Sequence, residues 1–350
     1  MTRVIRGQMR AVGAHHGLAP VLDVAHDPRW GRVEETFGED PYLIAQTGVA
    51  YIRGLQGDTR QGETLQTGVV ATGKHFVAHG LPEGGLNWAP VHIGERELRE
   101  VYLYPFKVAI QEARLRSIMN TYHELDGIPL GAHDYLLRTV LRGELGFDGI
   151  IVSDYHAANN LVDYHHTATS YTDAAAQTVN AGVDVELPEL RTYKLLKDAL
   201  DQGLTQLAII DEAVRRVLLL KAQLGLFDNP FVDSGRIPEL FAEQAPILLS
   251  RKLAAQSLVL LKNDANLLPL PMTLGSVAII GPCADDARMM QCDYHYPAHL
   301  ENIFNTQTHN PDSPNALFNQ PNVRMSDHLP PSVTVLQGIR ETVSSQTHIA

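Results

Sequence analysis

The 350-residue sequence predicts an α/β fold, specifically a (β/α)8 TIM-type barrel with N-terminal strand material missing, and three observations carry that reading. Between residue 18 and about residue 225, short apolar runs alternate with longer segments of helical period, the pattern of repeated βα units around a parallel sheet. Polar residues stand at the carboxyl end of nearly every run: Asp23, Lys74 with His75, Tyr122, Asp154 and Glu186. A closed barrel brings those ends to one mouth, whereas an open sheet gathers its site at a single switch point and has no use for so many. Finally, the chain opens on TRVIRGQMRAVGAHHG, which reads as a helix with no strand ahead of it, so the sequence is expected to begin inside a βα unit.

The strand candidates are residues 18–24, 69–74, 117–122, 149–154 and 183–187, about five of the eight that a whole barrel has. Helix-like segments separate and follow them: DPYLIAQTGVAYIRGL, ERELREVYLYPFKVAIQEAR, DYLLRTVLRGEL, TDAAAQTVNAG, TYKLLKDALDQG and LTQLAIIDEAVRRVLLLKAQLG. The first two carry Asp or Glu in their opening turns, where a carboxylate meets the positive end of the helix dipole. At residues 225–240, GLFDNPFVDSGRIPEL breaks the periodicity with Gly, Pro, Asn and Asp, so a domain boundary belongs there. The predicted organisation is a barrel over 1–226, a linker over 227–250 and the start of a second domain over 251–350. That second part shows a helix, LSRKLAAQSLVLLKN, a strand candidate, SVAIIGPCADD, an irregular tail from 293 to 331, and a last helix-like SVTVLQGIRETVSS.

Composition narrows the function. A formal net charge of −12 without a dense basic patch argues against a nucleic-acid partner, because such binding rests on clustered Lys and Arg. Two cysteines, Cys283 and Cys292, make neither a disulfide framework nor a CxxC zinc site. No run approaches the ~18 apolar residues of a membrane span, and no membrane partner is expected. The first residues lack the apolar stretch of a signal peptide, but a sequence that starts inside a βα unit leaves compartment open.

Taken alone, Asp154 after Ile150, Ile151, Val152 and Ser153 reads most simply as the cap of the next helix. Its neighbours at other strand ends shift that reading. HDPRWGRVEETFGEDP, residues 26–41, mixes both charge signs with Trp30, prolines and glycines, and suggests an ordered loop holding Arg32. TGKHFVAHG supplies Lys74 and His75, and SIMNTYHELDGIPL supplies Tyr122. The i, i+4 spacing of His75 and His79 invites a metal reading, but the segment is strand into loop without the HExxH glutamate, so no metal is expected. A carboxylate, an Arg, a Lys, a His and a Tyr, edged by Trp30 and Tyr155, suit a polyhydroxylated ring. Phosphate-loop motifs are absent from the sequence.

Taken together, LAPVLDVAHDPRWGRVEETFGEDP, GKHFVAHG, SIMNTYHELDGIPL, GFDGIIVSDY and AGVDVELP resemble glycoside hydrolase family 3, the β-glucosidase and β-xylosidase family, in order and approximate spacing. IDEAVRRVLLLKAQLGLFDNPFVD and AAQSLVLLKNDANLLPL resemble its barrel end and the entry to its α/β sandwich domain. The resemblance implies a retaining hydrolase of terminal β-D-glycosyl residues with Asp154 as nucleophile. Arg32, Lys74 and His75 would bind sugar hydroxyls, Tyr122 would lie near the nucleophile, and Tyr155 would stand where many members have tryptophan. The implied partners are β-glucosides or β-xylosides, as small oligosaccharides or aryl glycosides. No cofactor is implied, and a homodimer is compatible with the family. The acid/base glutamate of two-domain members is expected beyond the C-terminal end of this chain. The β-N-acetylglucosaminidase subgroup uses an Asp-His pair on the loop after the KHF motif; here VAHGLPEGGLNWAPVHIGERE has His92 but no Asp-x-His. Competing expectations are a sugar-binding remnant without turnover and a metal-dependent hydrolase using His75, His79 and Asp154.

Overall fold

The computed structural model describes residues 1–241, 243–291, 295–307 and 332–350. It contains two compact units, Met1–Gln256 and Ser257–Ala350.

In the first unit a helix, Thr2–Ala11, leads into β1 (His16–Gly17), β2 (Val70–Phe76) and β3 (Ser117–Asn120). A small antiparallel hairpin, β4 (Glu124–Leu125) with β5 (Ile128–Pro129), precedes β6 (Ile150–Val152). The main sheet runs β1-β2-β3-β6, with every pair parallel. Spatial order follows chain order, without the reversal that marks an open doubly wound sheet. Every residue of β2, β3 and β6 is buried, which is why these strands read as apolar runs rather than alternating ones.

Residues 18–24 do run beside β2, with Thr72 N–H donating to Ala19 O at 2.8 Å and Leu22 N–H to Lys74 O at 2.6 Å. Only Val21 forms a regular bridge there, because Pro20 has no N–H to give. Residues 183–187 likewise run along β6, bridged only at Val152 and Val185, with Ser153 N–H on Val185 O at 2.8 Å.

Helix Pro41–Gln56 starts at Asp40, whose side chain accepts from Tyr42 N–H, and has proline in its first turn. Its Ile44, Val49, Ile52 and Leu55 join Ala71, Ile118 and Ile151 in the largest core cluster, with Phe106 from helix Tyr104–Ala113 and Leu137 and Leu141 from the wide-wound helix Tyr135–Glu144. The opposite sheet face, Val70, Met119, Ile150 and Val152, packs on Leu220 and Leu224 at the end of helix Leu207–Gln223. On β2, Val70, Thr72 and Lys74 share one phase of the two-residue repeat, so that face runs from an apolar residue through a hydroxyl to a charge at the carboxyl edge.

The helix expected over 249–263 instead spans Gln244–Gln256, and the apolar residues Leu258 to Leu261 that follow it are exposed. In the second unit, the strand expected from residue 276 pairs only over β7 (Ser276–Val277), parallel to β8 (His348–Ile349). The tail expected to be irregular contains a helix, Tyr296–Gln307; its residues 293–294 and 308–331 lie outside the described ones. Thr334 caps the last helix, Val335–Thr342. Among the described residues no helix is long and apolar enough to cross a membrane.

Candidate active site

The carboxyl edge of the sheet collects Asp23, Lys74, His75, Tyr122 and Asp154, and the loop that follows residue 25 brings Arg32 to them. Asp154 is buried two residues beyond the end of β6. Its Oδ1 accepts from the Tyr122 hydroxyl at 2.8 Å and from the Tyr155 backbone N–H at 2.7 Å. Its Oδ2 is buried without a hydrogen-bond partner and lies 3.6 Å from His75 Nε2. One oxygen is therefore clamped while the other keeps its lone pairs. Burial pushes the Asp154 carboxyl above the ordinary aspartate value, against the Tyr122 hydroxyl, the Tyr155 N–H, Arg32 and Lys74, which all pull it down. The two cations do favour the ionised form, but desolvation outweighs them, a balance that the sequence pattern does not display.

Arg32 is held by Glu35, three residues on, through Nε to Oε1 at 2.6 Å and Nη2 to Oε2 at 2.8 Å. The turn Val33–Glu35 makes this fork-on-fork pair possible by bringing the i+3 side chain back over the loop. Burial alone would lower the guanidinium pKa; the Glu35 pair, with Asp23 and Asp154 nearby, keeps it raised instead. From there Arg32 Nη2 reaches His75 Nε2 at 3.0 Å, and Nη1 reaches His79 Nε2 at 3.3 Å. Lys74 is buried, and its charge acts on both Asp23 and Asp154.

His75 is enclosed. Its Nδ1 lies 2.7 Å from Asp23 Oδ2, and its backbone N–H donates to Asp23 Oδ1 at 3.1 Å. Burial, with Arg32 and Lys74 alongside, holds His75 well below the usual imidazole range, so it is neutral. His79 is lowered in the same way, with Nδ1 2.7 Å from Thr121 Oγ1. Thr121 Oγ1 also lies 2.9 Å from His123 Nδ1, and the two imidazoles stack with centroids 5.8 Å apart. His79 thus braces Arg32. Among the described residues no three His, Cys, Asp or Glu side chains converge as a metal site would require.

Two expected members of the mouth sit elsewhere. Trp30 is buried, with Nε1 donating to Asn87 Oδ1 at 3.2 Å and its ring edge-on to His79 at 5.2 Å. It is a wedge beneath the loop, because an indole can bury its body once its single N–H is satisfied. Glu186 accepts from Thr192 N–H and Oγ1 and from Tyr193 N–H, so it closes the turn at 192–193. The aromatic wall beside Tyr122 is Trp88, 4.9 Å between centroids, backed by Tyr164 at 5.5 Å from Trp88. His165 Nε2 lies 2.8 Å from the Tyr122 carbonyl oxygen. Trp88 lies in the 83–88 loop, but nothing in its spacing announces a contact with Tyr122. Tyr155 follows the nucleophile candidate, but its side chain is exposed and lines an apolar cavity of about 500 Å³ together with Val152, Leu187 and Pro188.

Glycine fixes the loop that carries Arg32. Gly85 has φ +73°, and a Cβ there would lie 2.6 Å from Arg29 Cβ, so the 83–88 loop can close over Arg29 and Trp30 only without a side chain.

The model of the glycosyl hydrolase family 3 N-terminal domain matches residues 1–220. A β-xylosidase of Formosa agariphila is 41% identical over 298 residues, covering 82% of this chain and 41% of that protein. A periplasmic β-glucosidase of Salmonella typhimurium is 35% identical over 286 residues, covering 79% of this chain and 36% of its own. The crystal structure of a β-glucosidase from Listeria innocua superposes with a TM-score of 0.81 at 32% identity, over 100% of this chain and 44% of that one. The chain therefore spans well under half the length of these relatives. With the family model covering residues 1–220 and relatives this similar, the chain belongs to glycosyl hydrolase family 3.

Proposed function

We propose that this chain carries the nucleophile and sugar-binding face of a retaining hydrolase acting on terminal β-D-glucosides, with β-D-xylosides next, and that its first unit is part of a (β/α)8 barrel. The observation that carries the reading is the asymmetric hold on Asp154. Oδ1 is tied by Tyr122 and the Tyr155 N–H, and Oδ2 is unpartnered.

In the proposed reaction Asp154 Oδ2 attacks the anomeric carbon, and the bond from that carbon to the departing oxygen breaks. The departing oxygen takes a proton from an acid, and water then displaces the glycosyl ester with the opposite displacement restoring the β configuration. The two carboxyl groups of such a pair stand about 5 Å apart. Arg32 and Lys74 would bind the sugar hydroxyls, His75, with both ring nitrogens engaged by Asp23 and Arg32, would serve that face by holding Arg32, and Tyr155 would offer an aromatic face near the departing group. The parallel sheet in sequential order supports the barrel. The second unit, with its parallel β7–β8 pair, is read as the beginning of an α/β sandwich domain. The names of the relatives support both sugars, and the Listeria innocua protein has also been solved, in a mutant form, with laminaribiose.

The test uses a 2-deoxy-2-fluoro glucoside or xyloside with a dinitrophenolate leaving group, which departs with little acid help. The expected result is a burst of dinitrophenolate and a mass increase on the peptide containing Asp154, lost in D154N. Sugar affinity without label would leave a binding function only, and metal-dependent turnover without label would point to a different hydrolase.

A further inference from the structure

Asp23 has no role in the scheme above, yet it is among the most buried carboxylates of the chain and both of its oxygens face one residue. Oδ1 accepts the His75 backbone N–H, and Oδ2 meets His75 Nδ1 at 2.7 Å. The other end of the same ring meets Arg32 Nη2 at 3.0 Å and Asp154 Oδ2 at 3.6 Å. A guanidinium can only donate, so Nε2 must present its lone pair to Arg32. The single ring proton then belongs on Nδ1, pointing at Asp23.

We propose that Asp23 is a positioning residue that fixes the tautomer of His75, keeping Nε2 unprotonated so that Arg32 stays beside the nucleophile and Asp154 Oδ2 receives no hydrogen bond from the ring. This inference rests on the reading of Asp154 as nucleophile. The consequence of the wrong tautomer follows from the distances. With the proton on Nε2, an N–H would face the Arg32 N–H at 3.0 Å, donor against donor, and would also face Asp154 Oδ2. Arg32 would be pushed from its place, and the attacking oxygen would gain a donor that quenches its lone pair. Asparagine at position 23 forces that state. Its carbonyl can still accept the His75 backbone N–H, but its amide then faces Nδ1 and donates, driving the ring proton to Nε2.

The experiment combines two readouts on the full chain. Nitrogen-15 spectra of histidine-labelled protein report which ring nitrogen of His75 carries the proton, assigned by comparison with H75Q. In parallel, the maximal rate of labelling by the dinitrophenyl 2-deoxy-2-fluoro glycoside is measured for wild type and D23N. The expected result is His75 protonated on Nδ1 in wild type and on Nε2 in D23N, with a labelling rate lower by on the order of 100-fold in folded D23N. With spectra and rates taken at pH 9, where Asp23 is ionised, a wild-type His75 protonated on Nε2 overturns the proposal, as does a D23N protein that labels within about threefold of wild type. If D23N does not fold, the wild-type spectrum still decides, because the proposal requires the Nδ1 proton there. If wild type itself takes no label at Asp154, the nucleophile reading fails, while the two spectra continue to test the hold of Asp23 on His75.

Discussion

At the residue scale, Tyr122 sets how easily Asp154 ionises. Its hydroxyl donates to the carboxylate and so stabilises the charged form against the burial that opposes it. In Y122F that donor is lost and the Asp154 pKa, already raised, climbs further. The acid limb of the labelling rate should therefore move toward higher pH, read from the rate across pH 4 to 8; a limb that stays put would remove Tyr122 from this role. Which of these side chains would gather was legible in the sequence, because strand ends of one parallel sheet share one edge. Their mutual hold was not. Glu35 looked like one more charge in a charged loop, and Trp30 looked like a rim residue, because only the fold shows which loop folds over which.

At the element scale, the junction between β6 and residues 183–187 depends on a buried ion cluster with no part in the chemistry. Asp184 Oδ2 accepts from Arg142 Nη2 at 2.7 Å and from the Ile151 backbone N–H at 2.8 Å, while Oδ1 accepts from Arg216 Nη1 at 2.8 Å. Asn in place of Asp184 leaves the largely buried Arg142 guanidinium without its counter-charge and Arg216 with Glu212 alone. The cost should be on the order of 3 kcal/mol, measured as a lower urea midpoint, with labelling per folded molecule unchanged. A fall in labelling rate without loss of stability would contradict this structural role. The strands themselves were legible as buried apolar runs. Their ends slipped where the backbone lacks a donor, as at Pro20, or where only one bridge forms, as at Val185. The wide winding of Leu98–Tyr102 and Tyr135–Glu144 leaves the apolar periodicity recognisably helical and so cannot be read from it.

At the scale of the whole molecule, the family match and the parallel sheet agree with the order of motifs in the sequence, since a sequential sheet places its strand ends in chain order around one edge. The second unit was harder to foresee. One of its four-residue apolar stretches, Leu258 to Leu261, is exposed and unpaired with any strand, whereas the other, Val277 to Ile280, begins in β7. Two of the buried acids, Asp23 and Asp154, also have a bearing on the conditions under which the proposed reaction runs. Burial raises Asp154 and pushes Asp23 up to about 7, against an ordinary value of 3.8. A carboxyl raised on folding contributes stability that is full below its unfolded value and is lost as pH rises through its folded one. The stability difference between wild type and D23N should therefore move in favour of D23N between about pH 4 and pH 8, as read from urea melts; a difference independent of pH would show that Asp23 titrates as it does in the unfolded chain. The proposed attack needs both groups charged. The fold is thus asked to work on the side of the pH scale where these two residues strain it most, and alkaline activity and acid endurance become opposing demands on the same pair of side chains.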